Sequence, residues 1–308
     1  MRFAPAILLV VLLPAAGLPA HAASVCIPPA ASPVAVCASA VGGPAVAMSA
    51  GGIHACAVLS DHNITCWGRN FYGESTPYSG GNAVDVSVDG GTSCALLTTA
   101  NVICTGSNFY GQGNGYSGGN AVALDQGDGH ACALLSTGNI SCWGSNIYGQ
   151  AAGYSGGNAI AVSAGWRHTC ALLSTGNVQC WGDNTDGQSA GYAGGNAVAV
   201  SAGWYHSCAL LSTGNVSCWG FNVYGQAAGY TGGLAVEVSS GIEDTCALLT
   251  TGNVQCWGAN NRGGGTGYSG GNAVSVSMGQ EFGCALLSNG DVKCWGANDW
   301  GQSLGYLH

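Results

Sequence analysis

The 308-residue chain carries 14 Asp and Glu against five Lys and Arg, a formal charge of −9, and only 6% of its residues are charged. So few basic groups cannot assemble a phosphate-binding surface, which argues against nucleic acid as a partner. Abundant Gly, Asn, Ser and Thr could suggest disorder, but the aromatic content and a strict internal repeat point to a packed fold with an amide- and hydroxyl-rich surface.

In chain order, Arg2 is followed by an apolar run from Phe3 to Leu18 and then Pro19-Ala20-His21-Ala22. The run is shorter than the roughly 20 residues that span a bilayer and ends in small residues, so 1–22 is expected to be a secretory signal cleaved after Ala22. No membrane span is expected after its removal. Export places the sixteen cysteines in an oxidising compartment, where an even number can pair completely. Residues 23–41 form a lead in which Cys26 and Cys37 are expected to bridge, lying against the Gln302 to Tyr306 edge.

From 42 to 308 the chain repeats. Cys56/Cys66, Cys94/Cys104, Cys132/Cys142, Cys170/Cys180, Cys208/Cys218, Cys246/Cys256 and Cys284/Cys294 advance by 38 each time without insertion or deletion. Within the unit that begins at Gly156, the apolar spacing predicts strand A at 159–163, strand B at 169–173, strand C at 178–181 and a weak strand D at 188–192. Ser174-Thr175-Gly176 joins B to C as a three-residue hairpin loop whose last position favours left-handed backbone; His62 and Ala100 stand there in two units. A hairpin centred on Thr175 sets Cys170 opposite Cys180, so each unit is expected to close its own disulfide rather than hold a metal.

Alternation puts Cys170, Leu172, Val178 and Cys180 on one face of the hairpin and Ala171, Leu173 and Trp181 on the other. A sheet apolar on both faces must be sandwiched between neighbours. Radial blades achieve this, and the terminal units lack the polar caps that an open solenoid needs. The fold class is therefore all-β, a closed seven-bladed β-propeller with one intra-hairpin disulfide per blade.

The pattern HxCALLSxGxVxCWGxNxxGQ resembles the repeat of the regulator-of-chromosome-condensation family, which are seven-bladed propellers, and the resemblance spans 42–308. It implies the fold strongly and the function weakly. The compact unit and the export signal are most similar to the family's secreted β-lactamase-inhibitor members, which cap a target with aromatic residues from one loop face. Gly165-Trp166-Arg167-His168-Thr169 resembles a string in its plant ultraviolet-B photoreceptor members, but it occurs only once.

Comparison between units locates the positions left free to vary. Those after strand A include Ile53, Trp166, Arg167, Trp204, Tyr205, Ile242 and Glu243; those after strand C include Phe71, Tyr72, Phe109, Tyr110, Tyr148, Tyr224 and Trp300. Both loops emerge at one end of an up-and-down blade, so Trp166, Arg167, Trp204, Tyr205, Ile53, Ile242, Glu243, Phe71, Phe109 and Trp300 are the candidate partner-binding residues. Packing between blades is the competing expectation for Tyr72, Tyr110, Tyr148 and Tyr224. His54, His130, His168 and His206 share one repeat position, where each is expected to bond its own blade's backbone. Glu243-Asp244 is expected to be a solvated turn. No nucleophile motif or close carboxylate pair stands out, so no catalytic residue, metal or cofactor is expected. The function expected is a secreted, non-enzymatic module for an extracellular protein partner, with glycan binding as the alternative.

Overall fold

The computed structural model describes residues 24–27, 36–39 and 43–308. The expected signal, 1–22, and most of the lead lie outside the described residues. Ser24–Ile27 pairs antiparallel with Val36–Ser39 in a register that sets Cys26 opposite Cys37. The bridge between these two cysteines, and the expected seat of the lead on the Gln302 to Tyr306 edge, rest on side chains and segments outside the described residues.

Seven three-stranded antiparallel sheets follow, each built from strands consecutive in sequence. In the fourth blade strand A is Ala159–Ala164, strand B His168–Leu173 and strand C Val178–Gly182. The same six B-strand positions return in every blade, from His54–Leu59 to Phe282–Leu287. Strand D contracts to a single bridge: Val178 and Tyr192 exchange backbone bonds of 2.8 and 2.9 Å, as do the equivalent pairs of the other blades. Residues 188–191 instead turn back beneath the C–D loop, and Gln188 is used to hold that loop (below).

The hairpin register is the one that the cysteine spacing implies. Cys170 faces Cys180 and Leu172 faces Val178. The bridges are Cys56–Cys66, Cys94–Cys104, Cys132–Cys142, Cys170–Cys180, Cys208–Cys218, Cys246–Cys256 and Cys284–Cys294, all within blades, with Cα atoms 4.0–4.1 Å apart.

The two cysteines of a bridge are not equivalent in burial. The strand B members Cys56, Cys94, Cys132, Cys170, Cys208, Cys246 and Cys284 are fully buried. Of the strand C members only Cys66 is buried, while Cys104, Cys142, Cys180, Cys218, Cys256 and Cys294 are half-buried. The physical reason is the reduced strand D: with one bridge in place of a full fourth strand, strand C is the outer edge of each sheet. The cysteines therefore staple the blades.

The third loop residue is left-handed throughout, including the two without glycine, His62 at φ 63° and Ala100 at φ 57°. Strand A bulges in every blade at its second residue. The bulge turns Val46, Val84, Val122, Ile160, Val198, Val236 and Val274 outward to solvent, near the end that carries the B–C turns.

The core is a set of seven inter-blade layers. Cys170, Leu172 and Val178 of the fourth blade pack on Ala197 and Ala209 of the fifth, with Leu211 and Trp219 at the edge. The seventh interface joins Phe282, Cys284, Leu286 and Tyr306 to Ala55, Ala57, Leu59 and Trp67 of the first blade. There the ring closes without strand exchange, through Trp67 Nε1 donating to Gln302 O at 3.0 Å and Tyr306 Oη donating to Gly43 O at 2.7 Å.

Around the axis runs a hydrogen-bond girdle that sequence reasoning did not find. One side chain per blade, Ser49, Ser87, Asp125, Ser163, Ser201, Ser239 and Ser277, accepts the backbone N–H of a residue in the next blade at 2.9–3.1 Å, and Ser277 accepts from Ala50 to complete the circle. The signal was the serine at a fixed repeat position. Only a closed ring gives all seven a partner.

Candidate loop-face site

The A–B and C–D loops meet at one end of the ring, and their shape is fixed from beneath. In five blades a buried glutamine of the C–D segment, such as Gln150, accepts the N–H of the residue two before it (Tyr148, 2.9 Å), which locks the loop. Its backbone carbonyl accepts from the next blade: Gln150 O receives both Thr169 Oγ1–H at 2.9 Å and Trp181 Nε1–H at 3.0 Å.

The histidines belong to this support and not to their own blade's backbone. Nε2 of His54, His130, His168 and His206 lies 2.7–2.8 Å from Ser93, Thr169, Ser207 and Thr245 of the following blade. Each hydroxyl spends its single proton on the preceding blade's loop carbonyl. It must therefore accept from the ring, which fixes the proton on Nε2. Burial pushes these rings down to about 4 (His54, His130, His206) and about 3 (His168), so they are neutral spacers. That removes them as acid–base candidates. Among the described residues no group of three or more His, Cys, Asp or Glu is arranged to hold a metal.

On this frame the loop residues form two aromatic groups. In the first, Trp166 and Trp204 stack with centroids 5.2 Å apart and planes at 15°, and Tyr205 meets Trp166 edge-on at 5.1 Å. The chain of rings continues through Phe221 to Tyr224 at 6.0 and 6.2 Å. The Arg167 guanidinium lies 3.5 Å from the Trp166 ring and 4.7 Å from Tyr148. Trp166 Nε1 donates to Asp128 at 3.0 Å. In the second group, Phe71 meets Trp300 at 4.9 Å across the closing interface, Tyr72 meets Phe109 at 5.6 Å, and Arg69 lies near both Phe71 and Tyr72. Arg69 is held by Glu74 at 2.8 Å.

Of the candidates, Trp166, Arg167, Trp204 and Tyr205 come together but are half-buried against one another, not fully exposed. Phe71, Phe109 and Trp300 are exposed in the second group, Phe109 most of all at 77%. Ile53, Ile242 and Glu243 lie half-buried on other A–B loops. Tyr72, Tyr110, Tyr148 and Tyr224 are 43–61% exposed, yet three of them lean across a blade boundary: Tyr72 meets Phe109 and Tyr148 lies under Arg167, and Tyr72 and Tyr110 lie 3.4 and 3.2 Å from where a Cβ on Gly91 and Gly129 would sit. Phe221 went unnoticed as a candidate, although the position after strand C varies between units (Arg69, Ser107, Asp183, Phe221) and so carried a signal.

These features define a seven-bladed β-propeller with one variable, aromatic loop face. The regulator of chromosome condensation (RCC1) repeat model matches 45–74, 121–150, 159–188, 197–226, 235–263 and 273–302, more than half of the chain, which therefore belongs to this family. No curated protein sequence matches it. Among solved structures it is similar to the ectodomain of the Physcomitrella patens receptor kinase CR4, at 25% identity and a TM-score of 0.68, over 82% of this chain and 72% of that one. It is also similar to the CRINKLY WD40 ectodomain of the Arabidopsis thaliana receptor kinase ACR4, at 24% identity and a TM-score of 0.70, over 87% and 100%. Prp20p of Saccharomyces cerevisiae matches at 19% identity and a TM-score of 0.53, over 81% and 71%.

Proposed function

We propose that this chain is an exported, non-enzymatic propeller that holds a protein partner on the face formed by its A–B and C–D loops. The observation that carries the reading is the contiguous surface of Tyr148, Arg167, Trp166, Trp204, Tyr205, Phe221 and Tyr224, spread over three blades. Large aromatic groups and arginine are the residues that most often dominate binding energy in protein interfaces. Here their orientation is set in advance by stacking and by the locked loops, which lowers the entropy lost on association. Seven disulfides suit an oxidising compartment, and the similarity to receptor-kinase ectodomains supports an extracellular setting.

Glycan binding is the second reading, favoured by the outward-facing rings of Phe109 and Tyr110. It is weaker at the first group, because the Trp166 ring already carries Arg167 and Trp204 and offers little free π surface to a sugar. Immobilised wild-type protein and the Trp166→Ala/Trp204→Ala variant, each exposed to the secretome of the producing organism, separate the readings. A protein retained by the wild type and lost by the variant supports the proposal; binding confined to a glycan array, or turnover of a substrate by the purified protein, refutes it.

A further inference from the structure

The interface between the sixth and seventh blades departs from the others at three positions at once. The histidine position holds Asp244, the loop-locking glutamine is Gly264, and the hydroxyl of the next blade is replaced by Gly283. Asp244 and Gly264 line a cavity of about 200 Å³ open to the loop face, whereas the space beside Gly283 is filled by Met278 and Trp295. The cavity walls include Ile242 and Ala259 on the apolar side and Glu243, Asp244, Glu281 and Arg262 on the polar side.

Asp244 is not the solvated turn residue that the sequence suggested. It is 4% exposed, and its Oδ1 has no hydrogen-bond partner. Its Oδ2 lies 2.5 Å from where a Cβ on Gly264 would sit, so the carboxylate points into the space that glutamine fills elsewhere. Burial, and then the charges of Glu243 and Glu281, push its carboxyl up to about 7, a strain that an incoming positive charge would relieve. Arg262 does not supply that charge: its guanidinium is bound by Glu281 at 2.9 Å and by Asp299. Glu243 and Asp244 have no salt bridge among the described residues.

We infer that this pocket binds a primary alkylammonium group, with the ammonium on Asp244 and Glu243 and the alkyl stem along Ile242 and Ala259. A compact ammonium with three donors suits a buried carboxylate with a second acidic residue in the same wall and apolar side chains beside it. The cavity is several times the roughly 30 Å³ share of one water, enough for a short methylene chain. The inference stands on its own residues and does not depend on the aromatic reading.

The test is a calorimetric or NMR titration of the whole chain with N-acetyl-lysine amide, n-butylammonium chloride and the neutral isostere N-acetyl-norleucine amide. The lysine derivative is expected to bind at least tenfold more tightly than norleucine. Asp244→Asn should weaken it about tenfold, and Gly264→Gln, which refills the cavity with the residue of other blades, should abolish it. Thermal melting and the seven-bridge disulfide map check that each variant folds, and Asp244→Asn, which keeps the shape of the side chain, decides the matter if Gly264→Gln does not. Stronger binding of N-acetyl-lysine amide than of butylammonium identifies a lysine side chain on a polypeptide as the source; equal binding identifies a free amine. Equal binding of the charged and neutral probes, or tight binding that survives Asp244→Asn, overturns the inference.

Discussion

The imidazole Nε2 of His130 stands 2.8 Å from Thr169 Oγ1 of the next blade, and that hydroxyl in turn donates to Gln150 O at 2.9 Å. One threonine thus links a strand of the third blade, the loop lock of the third blade and strand B of the fourth. Thr169→Val keeps the shape but leaves His130 Nε2–H buried without an acceptor, which costs about 2 kcal/mol. Thr169→Ser should be nearly neutral, since Ser93 and Ser207 do this work at other interfaces. Denaturant unfolding of the three proteins measures the difference, and equal midpoints for Val and Thr would show that the relay contributes nothing.

The B–C turns offer a test of backbone strain. Ala100 sits at φ 57°, a left-handed conformation that costs a residue with a Cβ about 1 kcal/mol. Ala100→Gly should therefore raise stability by up to about 1 kcal/mol. Gly176→Ala should lower it by about 2 kcal/mol, because its φ is 75° and its new Cβ would lie 2.4 Å from Gly195 O. Thermal melts of the two variants should shift in opposite directions.

Stability should fall on the alkaline side of neutrality. Burial, and then the charge of Asp128, push Asp89 up to about 8; burial also raises Asp244 and Glu237 to about 7. In the unfolded chain these groups ionise near pH 4, so between about pH 4 and 8 the folded state holds protons that the unfolded state has lost. Stability from these groups is lost as pH rises through that window. The buried histidines act oppositely, losing stability as pH falls from about 6.5 towards 4, so the two sets offset each other on the acid side. Above about pH 6.5 only the carboxylates remain. The melting temperature should drop from about pH 6.5 to about 8.5, and Asp89→Asn should flatten the slope; an unchanged slope in the variant would show that Asp89 is ionised throughout.

The fold was legible because its determinants are local and repeated. Cysteines ten residues apart across a turn fix the register of the hairpin, and two-faced apolar strands demand neighbours. The half-exposure of Cys142 or Cys218 was not legible, because it depends on how far strand D extends over strand C. Contacts between blades were hidden too, since they join residues 19 to 39 apart whose alignment depends on how blades tilt. Hence His130 was assigned to its own backbone and not to Thr169. The loop face followed from the variation between units, whereas the exposure of Tyr110 and the burial of Asp244 depend on loop height and side-chain direction. The glycine at 264 was visible as a departure from the repeat; only the three-dimensional ring sets it beside Asp244.

The ring has two ends that could meet a partner: the aromatic loops, and the circle of outward valines and Ile160 beside the B–C turns. The most direct measurement is hydrogen–deuterium exchange of the chain with and without the protein that it captures. The account predicts protection in the loops at 165–168, 203–206 and 221–225, and none at 136–138 or 174–176. Protection confined to the B–C turns and the start of strand A, with the loops at Trp166 and Trp204 exchanging as in the free protein, would contradict it.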